Sequence, residues 1–146
     1  MEDFILHSIN KYMKVTVLET IVAKDVMIRD IYTIHPENRV ALARLRMLRH
    51  GVGALPVTDT KEKLLGIITL RDIDLAGNEA SALLVEDLMT TNLITGSENT
   101  SIGEITEMML QTGIQRIPIV DGDGDLIGLV TQTTIIRAMK KLLEQT

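Results

Sequence analysis

The sequence predicts an α/β (α+β) fold. Two β-α-β-β-α units pack about a pseudo-twofold axis, preceded by a short N-terminal helix. Three observations predict this. The chain repeats itself at a constant offset of 62 residues. Within each copy, runs with helical spacing alternate with short runs that are nearly all apolar. Glycine, proline and aspartate punctuate those runs at matching places.

The repeat begins at residue 25 and needs no gaps. Asp25-Val26-Met27 recurs as Asp87-Leu88-Met89, and Met47-Leu48 as Met109-Leu110. Gly51, Pro56, Asp59, Leu64, Gly66, Thr69 and Ile73 recur as Gly113, Pro118, Asp121, Leu126, Gly128, Thr131 and Ile135. Elsewhere one apolar residue replaces another, as in Val40/Ile102, Leu55/Ile117 and Ile68/Val130. An internal duplication explains this, and like units on one chain bury matching faces against each other. The domain organisation read from it is a leader over 1–20, a first repeat over 21–78 and a second over 83–146.

In chain order, Phe4, Ile5, Ile9, Tyr12 and Met13 recur at three- and four-residue spacing. They predict the leader helix. A short strand then opens each unit, Ile31–Ile34 and Leu93–Thr95. After a polar turn comes a helix. Val40, Ala43, Met47 and Leu48 share its inward face in the first copy, and Ile102, Ile105, Met109 and Leu110 in the second. Gly51 and Gly113 stand where a left-handed C-terminal cap is wanted. Two apolar strands follow, Ala54–Val57 and Leu64–Thr69, then Arg116–Val120 and Leu126–Thr131 in the second copy. The last helices run over Leu70–Leu75 and Gln132–Leu143. Strands this apolar imply sheets covered by helices.

Composition narrows the function classes. Apolar residues are 45% and charged residues 24% of the 146, the balance of a globular protein of ordinary domain size. Aromatics are 2%, so aliphatic residues and methionine must build the core. No apolar run approaches the roughly 18 residues of a membrane span. The acidic start Met1-Glu2-Asp3 is unlike a secretory signal. The absence of cysteine removes disulfides and thiolate chemistry. A cytoplasmic protein is expected, with neither membrane nor nucleic acid as partner, since no basic stripe with aromatic platforms occurs. Net charge is −5, split as +1 over residues 1–77 and −6 over 78–146. This asymmetry fits either a solvated acidic half or attraction between the halves of different subunits.

The chemistry concentrates at Gly66-Ile67-Ile68-Thr69-Leu70-Arg71-Asp72, where a buried strand runs into a helix. Two roles fit Thr69 and Asp72. In one, they form a capping box, the hydroxyl and carboxylate each taking an orphan amide, worth about 1 kcal/mol. In the other, the hydroxyl donates to a phosphate oxygen and the carboxylate accepts from both ribose hydroxyls. The second copy keeps Thr131 but carries Thr134 where the acid stood.

These residues carry a family resemblance. Asp25-Val26-Met27, Gly51-Val52-Gly53-Ala54-Leu55-Pro56-Val57-Thr58-Asp59 and Gly66–Asp72 resemble the cystathionine β-synthase (CBS) domain. So do Asp87-Leu88-Met89, Gly113-Ile114-Gln115-Arg116-Ile117-Pro118-Ile119-Val120-Asp121 and Gly128–Thr131. The match covers about residues 21–143, and two such domains in tandem resemble a Bateman module. The resemblance implies a stand-alone regulatory or sensor protein without catalysis of its own. Its ligand would be an adenosine-containing nucleotide (AMP, ADP or ATP, with S-adenosylmethionine or NAD as further members of the class) held between the repeats. No obligatory cofactor is implied. Homodimerisation and an unspecified regulated protein are.

Carried over residue by residue, the resemblance gives Thr69 the phosphate and Asp72 the ribose. It places the base against Met89, Thr90, Asn92 and Ile94, with Ile114 and Gln115. Arg71 and Arg116 are candidate phosphate contacts, and Thr131 marks the second cleft. With Thr134 in place of the acid, one nucleotide site per chain is expected. The runner-up is a ligand-free interaction or oligomerisation module.

Other constellations are weaker. Arg39, Arg46 and His50 share a face of the first helix, either solvated or turned to a partner's acidic surface. Asp121-Gly122-Asp123-Gly124-Asp125 starts like a calcium loop, but Leu126 stands where the sixth-position glycine belongs and Gln132 where the closing glutamate belongs. It is expected to be a turn. His7, His35 and His50 lack metal-ligand spacing, and no catalytic nucleophile or paired carboxylates are apparent.

Overall fold

The computed structural model describes residues 3–5 and 18–144. Most of the predicted leader helix lies outside them, including Ile9, Tyr12 and Met13. Within them, 3–5 and 18–20 are helical, and Phe4 and Ile5 are exposed.

The elements are α1 (Ala23–Val26), α2 (Val40–His50), β1 (Ala54–Thr58), β2 (Leu64–Thr69) and α3 (Leu70–Leu75). A 3₁₀ turn (Ala80–Ala82) leads to α4 (Val85–Leu88), α5 (Ile102–Thr112), β3 (Arg116–Val120), β4 (Leu126–Thr131) and α6 (Gln132–Glu144). Helices α1 and α4 were not predicted, being too short to show a period. The repeated Asp-x-Met explains them. The Asp25 carboxylate accepts from Val22 N–H (3.0 Å) and the Asp87 carboxylate from Leu84 N–H (2.9 Å), closing the first turn each time.

The chain forms two compact units. One comprises Asp30–Ile94 and Val120–Ile127. Its core joins Ile34, Val40, Met47, Leu55, Val57, Ile68 and Ile73 to Val85, with Leu88 and Met89 packed against it. β1 and β2 are antiparallel, from Ala54↔Thr69 to Val57↔Gly66, and the register shifts between Val57 and Thr58. β1 is buried at every position, as expected of a strand covered on both faces. The 62–64 and 124–126 turns exchange hydrogen bonds. Leu64 N–H donates to Gly124 O (3.2 Å) and Leu126 N–H to Glu62 O (3.0 Å). Glu62 (φ 68°) and Gly124 (φ 85°) occupy equivalent left-handed positions.

The other unit gathers the chain up to Arg29, Thr95–Ile119 and the chain from Gly128 onward. It buries Ala23, Met27, Ile102, Ile105, Ile117 and Val130. Each unit therefore recruits the lead-in segment of the other sequence repeat: Ala23–Met27 here, Val85–Met89 above. The glycines that β2 and β4 share through the repeat make room for those methionines. A Cβ on Gly66 would lie 2.7 Å from Thr90 O and 3.0 Å from Met89 Sδ, and one on Gly128 would collide with Met27 Sδ.

Two expectations are corrected. The predicted strand Ile31–Ile34 shrinks to a single parallel bridge, Ile34–Val57, and Leu93–Thr95 forms no strand, its parallel bridge Gly96–Ile119 falling one residue later. Polar turns begin at once after each bridge and draw the backbone away, with His35 N–H bonding Asn38 Oδ1 and Ser97 N–H bonding Thr100 Oγ1. Leu48 and Leu110 are not inward-facing but 64% and 76% exposed. The cores take Val40, Ala43 and Met47 of α2, and Ile102, Ile105 and Met109 of α5. The leucines sit about 100° round each helix from the methionines before them. The helix ends are as expected: Gly51 (φ 65°) and Gly113 (φ 75°) cap in the left-handed region. Strand β1 extends one residue beyond its expected end, to Thr58, and α6 one beyond, to Glu144.

Candidate functional site

At the β2–α3 junction the capping box is formed. Thr69 N–H donates to Asp72 Oδ2 and Asp72 N–H donates to Thr69 Oγ1, each at 3.0 Å. The half-buried carboxylate thus spends one oxygen on the backbone, and Oδ1 has no partner among the described residues. Thr69 Oγ1 accepts and keeps its proton to donate. Both groups retain capacity for a ligand.

The β4–α6 junction rebuilds the box without a carboxylate. Thr131 N–H donates to Thr134 Oγ1 (2.9 Å), and Thr134 N–H donates to Thr131 Oγ1 (3.2 Å). The Thr134 hydroxyl then gives its own proton to Thr131 O (2.8 Å), and the residue as a whole is 6% exposed. Its donor is used up, and a hydroxyl offers less acceptor capacity than a carboxylate. The two junctions are equivalent as caps and unequal as ligand sites.

Around the first junction, Ile67 and Thr90 exchange backbone hydrogen bonds (3.0 and 2.8 Å), bringing Met89 and Thr90 beside β2. Asn92 and Arg71 are exposed and Ile94 half-buried in the same unit. Ile114, Gln115, Arg116 and Thr131 belong to the other unit. There Gln132 N–H donates to Gln115 O (3.2 Å), which sets Gln115 beside Thr131 at the start of α6. Arg116 opens β3, half-buried, and Ile114 is 37% exposed.

Two features were not anticipated. A groove of about 450 Å³ runs between the α1 segment and α6, lined by Ile21, Asp25, Thr134, Arg137, Lys141 and Leu142 among others. The three- and four-residue spacing along α6 could have flagged it. Arg46 and His50 are also occupied within their own unit, Arg46 donating to Thr33 O and His50 stacking on Tyr32 at 3.7 Å. The Asp121, Asp123 and Asp125 carboxylates lie within 4.8 Å of one another. Asp121 Oδ1 accepts from the amides of Asp123 and Asp125, as Asp59 Oδ1 does from Lys61 and Lys63. The shared aspartate is thus a turn former. Among the described residues no helix is long and apolar enough to cross a membrane.

Comparison with known proteins fits this geometry. The CBS domain family model matches residues 23–77 and again 85–141. Among curated relatives, the inosine-5'-monophosphate dehydrogenase of Thermoplasma acidophilum is 38% identical over 115 residues, covering 79% of this chain and 23% of that protein. That of Korarchaeum cryptofilum is 41% identical over 109 residues, covering 75% and 22%. The chain thus spans under a quarter of the length of these relatives. Among solved structures, CBSX2 in complex with AMP superposes with a TM-score of 0.78 at 27% identity, covering 84% of this chain and 98% of that one. The CBS domain pair of protein MJ0100, in complex with 5'-methylthioadenosine and S-adenosyl-L-methionine, gives 0.74 at 30% identity, covering 82% and 96%. The chain belongs to the CBS domain family and carries two CBS domains in tandem.

Proposed function

We propose that this CBS pair is a regulatory module that binds one adenosine-containing nucleotide per chain, of the AMP, ADP or ATP class, at the Thr69–Asp72 junction. The observation that carries this reading is the spare capacity of Asp72. With Oδ1 unengaged, the carboxylate can accept from both ribose hydroxyls while still closing its cap. Thr69 donates to phosphate. Met89, Thr90, Asn92 and Ile94 are assigned to the base. Arg71 is assigned to the phosphate, and the family resemblance adds Ile114 and Gln115 for the base, Arg116 for the phosphate and Thr131 as candidates, each open to test by substitution. At the second junction Thr134, with its proton committed to Thr131 O, offers no carboxylate to take two ribose hydroxyls.

The module acts by differential affinity: a nucleotide favours the arrangement of the chain that binds it better, and a second copy or a regulated protein reads the change. The chain does no chemistry itself. We place it in the cytoplasm as a homodimer. Solved relatives in complex with AMP, 5'-methylthioadenosine and S-adenosyl-L-methionine support the ligand class.

Thermal melts with AMP, ATP, S-adenosylmethionine and NAD test the proposal. A ligand at a hundredfold excess over its Kd adds about 2.7 kcal/mol. The alternative, a ligand-free interaction or oligomerisation module, draws support from boxes that close fully without a ligand. It prevails if no adenosine compound moves the melt.

A further inference from the structure

The groove between α1 and α6 lies within a single compact unit, and none of its lining residues is among those proposed to hold the nucleotide. Its volume, about 450 Å³, falls in the range of small-molecule sites. Ile21, Val26 and Leu142 line it as half-buried aliphatic surface. Three charged groups line it as well: Asp25 from α1, and Arg137 and Lys141 from α6.

The two cations are set apart from the charge around them. Residues 78–146 hold four Lys/Arg in all, and three of them, Arg137, Lys140 and Lys141, fall within five residues of α6. Lys140 pairs with Glu144 at 3.7 Å. The Arg137 and Lys141 side chains have no ion-pair or hydrogen-bond partner among the described residues. They stand at i and i+4, where like charges lie one turn apart and oppose the helix that carries them. Asp25 does not relieve them. One of its oxygens takes Val22 N–H, and it forms an ion pair with neither cation.

The first repeat offers no matching wall. At the offset of 62, Arg137, Lys141 and Leu142 correspond to Leu75, Glu79 and Ala80. There α3 stops after six residues and Gly77 (φ 83°) turns the chain, whereas α6 continues for 13. The groove therefore belongs to the longer helix of the second copy and is not a duplicated feature.

We propose that this groove binds an organic carboxylate with an aliphatic body. The acid group bridges Arg137 and Lys141, whose charged heads reach the rim while their stems join the apolar wall. The guanidinium fork fits the two oxygens of a carboxylate. The body of the ligand lies on Ile21, Val26 and Leu142. Asp25 selects the head, because a singly charged carboxylate meets less repulsion from it than a dianionic phosphate does. The proposal is independent of the nucleotide reading, since the two sites share no residue.

Equilibrium dialysis of labelled decanoate against the full chain tests it. The parent should bind one decanoate per chain saturably, and should bind decanol, the same hydrocarbon without the charge, at least about tenfold more weakly. Arg137→Gln/Lys141→Gln should weaken decanoate binding at least about tenfold too. Both residues are exposed, so the unliganded melt of this double variant should match the parent's. Asp72→Thr should bind decanoate as the parent does, and AMP should not displace it. No saturable binding by the parent overturns the site. Binding unchanged in the double variant, or equal for decanol, overturns the carboxylate contact. Displacement by AMP, or loss of binding in Asp72→Thr, puts decanoate in the nucleotide site and overturns the separate one. Decyl phosphate binding more tightly than decanoate overturns the selection of a carboxylate head.

Discussion

Replacing Asp72 with threonine separates the two roles of the β2–α3 junction, because the chain already contains the result. Thr134 shows that threonine at this position closes the box, accepting from Thr131 N–H at 2.9 Å. Asp72→Thr should therefore fold with unliganded stability within about 0.5 kcal/mol of the parent. Asp72→Ala instead strands Thr69 N–H and should cost about 1 kcal/mol. Binding should respond differently. A carboxylate accepting two ribose hydroxyls makes two charge-assisted bonds of about 1.5–3 kcal/mol each. Losing both weakens Kd by about a hundredfold or more. At a nucleotide concentration one hundred times the parent's Kd, the parent gains about 2.7 kcal/mol and the variant about 0.4 kcal/mol or less. For a chain of this size that is a Tm rise of about 5–11 °C against about 1–2 °C. Differential scanning fluorimetry with AMP and ATP reads both numbers, and 2'-deoxy-AMP should fall between them. An Asp72→Thr variant that keeps the parent's full ligand-induced shift would refute the ribose assignment. One that melts well below the parent without ligand would refute the equivalence of the two boxes.

Four further outcomes can be checked by denaturant or thermal unfolding. Gly66→Ala should destabilise by about 1–3 kcal/mol, because the new Cβ meets the carbonyl of Thr90, a backbone atom that cannot swing aside. A cost below about 0.5 kcal/mol would mean the Met89–Thr90 segment is free to move. Glu62→Gly should stabilise by about 0.5–1 kcal/mol, since Glu62 holds the left-handed conformation that its counterpart Gly124 adopts without a side chain. The converse change, Gly124→Ala, should destabilise by about 1 kcal/mol or more. Ile68→Ala, at a fully buried position of β2, should cost about 2–5 kcal/mol, as truncations in close-packed cores do.

The sequence by itself determined much of this protein. Its offset repeat dictated two copies of one plan, and its periodicities located α2, β2, α3, α5, β3 and β4 closely. Gly51 and Gly113 announced their left-handed caps, because few other residues tolerate that backbone. Thr69 and Asp72 declared a capping box by spacing alone. These features are local: propensity, hydrophobic period and turn chemistry act within about ten residues, so sequence order reveals them.

What the tertiary structure decided is non-local. Only packing showed that Asp-x-Met in each repeat seats its methionine against a glycine distant in sequence, Met89 on Gly66 before it and Met27 on Gly128 far beyond it. Only packing showed Leu48 and Leu110 facing outward, because α2 and α5 each carry more apolar surface than one core can cover. The opening strands shortened to bridges because neighbouring turns claimed their backbone. At the candidate site, the sequence named the residue that differs, Asp72 against Thr134. The folded chain supplied the reason the difference matters, since Thr134 is buried and its hydroxyl proton is committed to Thr131 O. Side-chain hydrogen-bonding capacity depends on which partners the fold brings within 3 Å, and no period or spacing in the sequence encodes that.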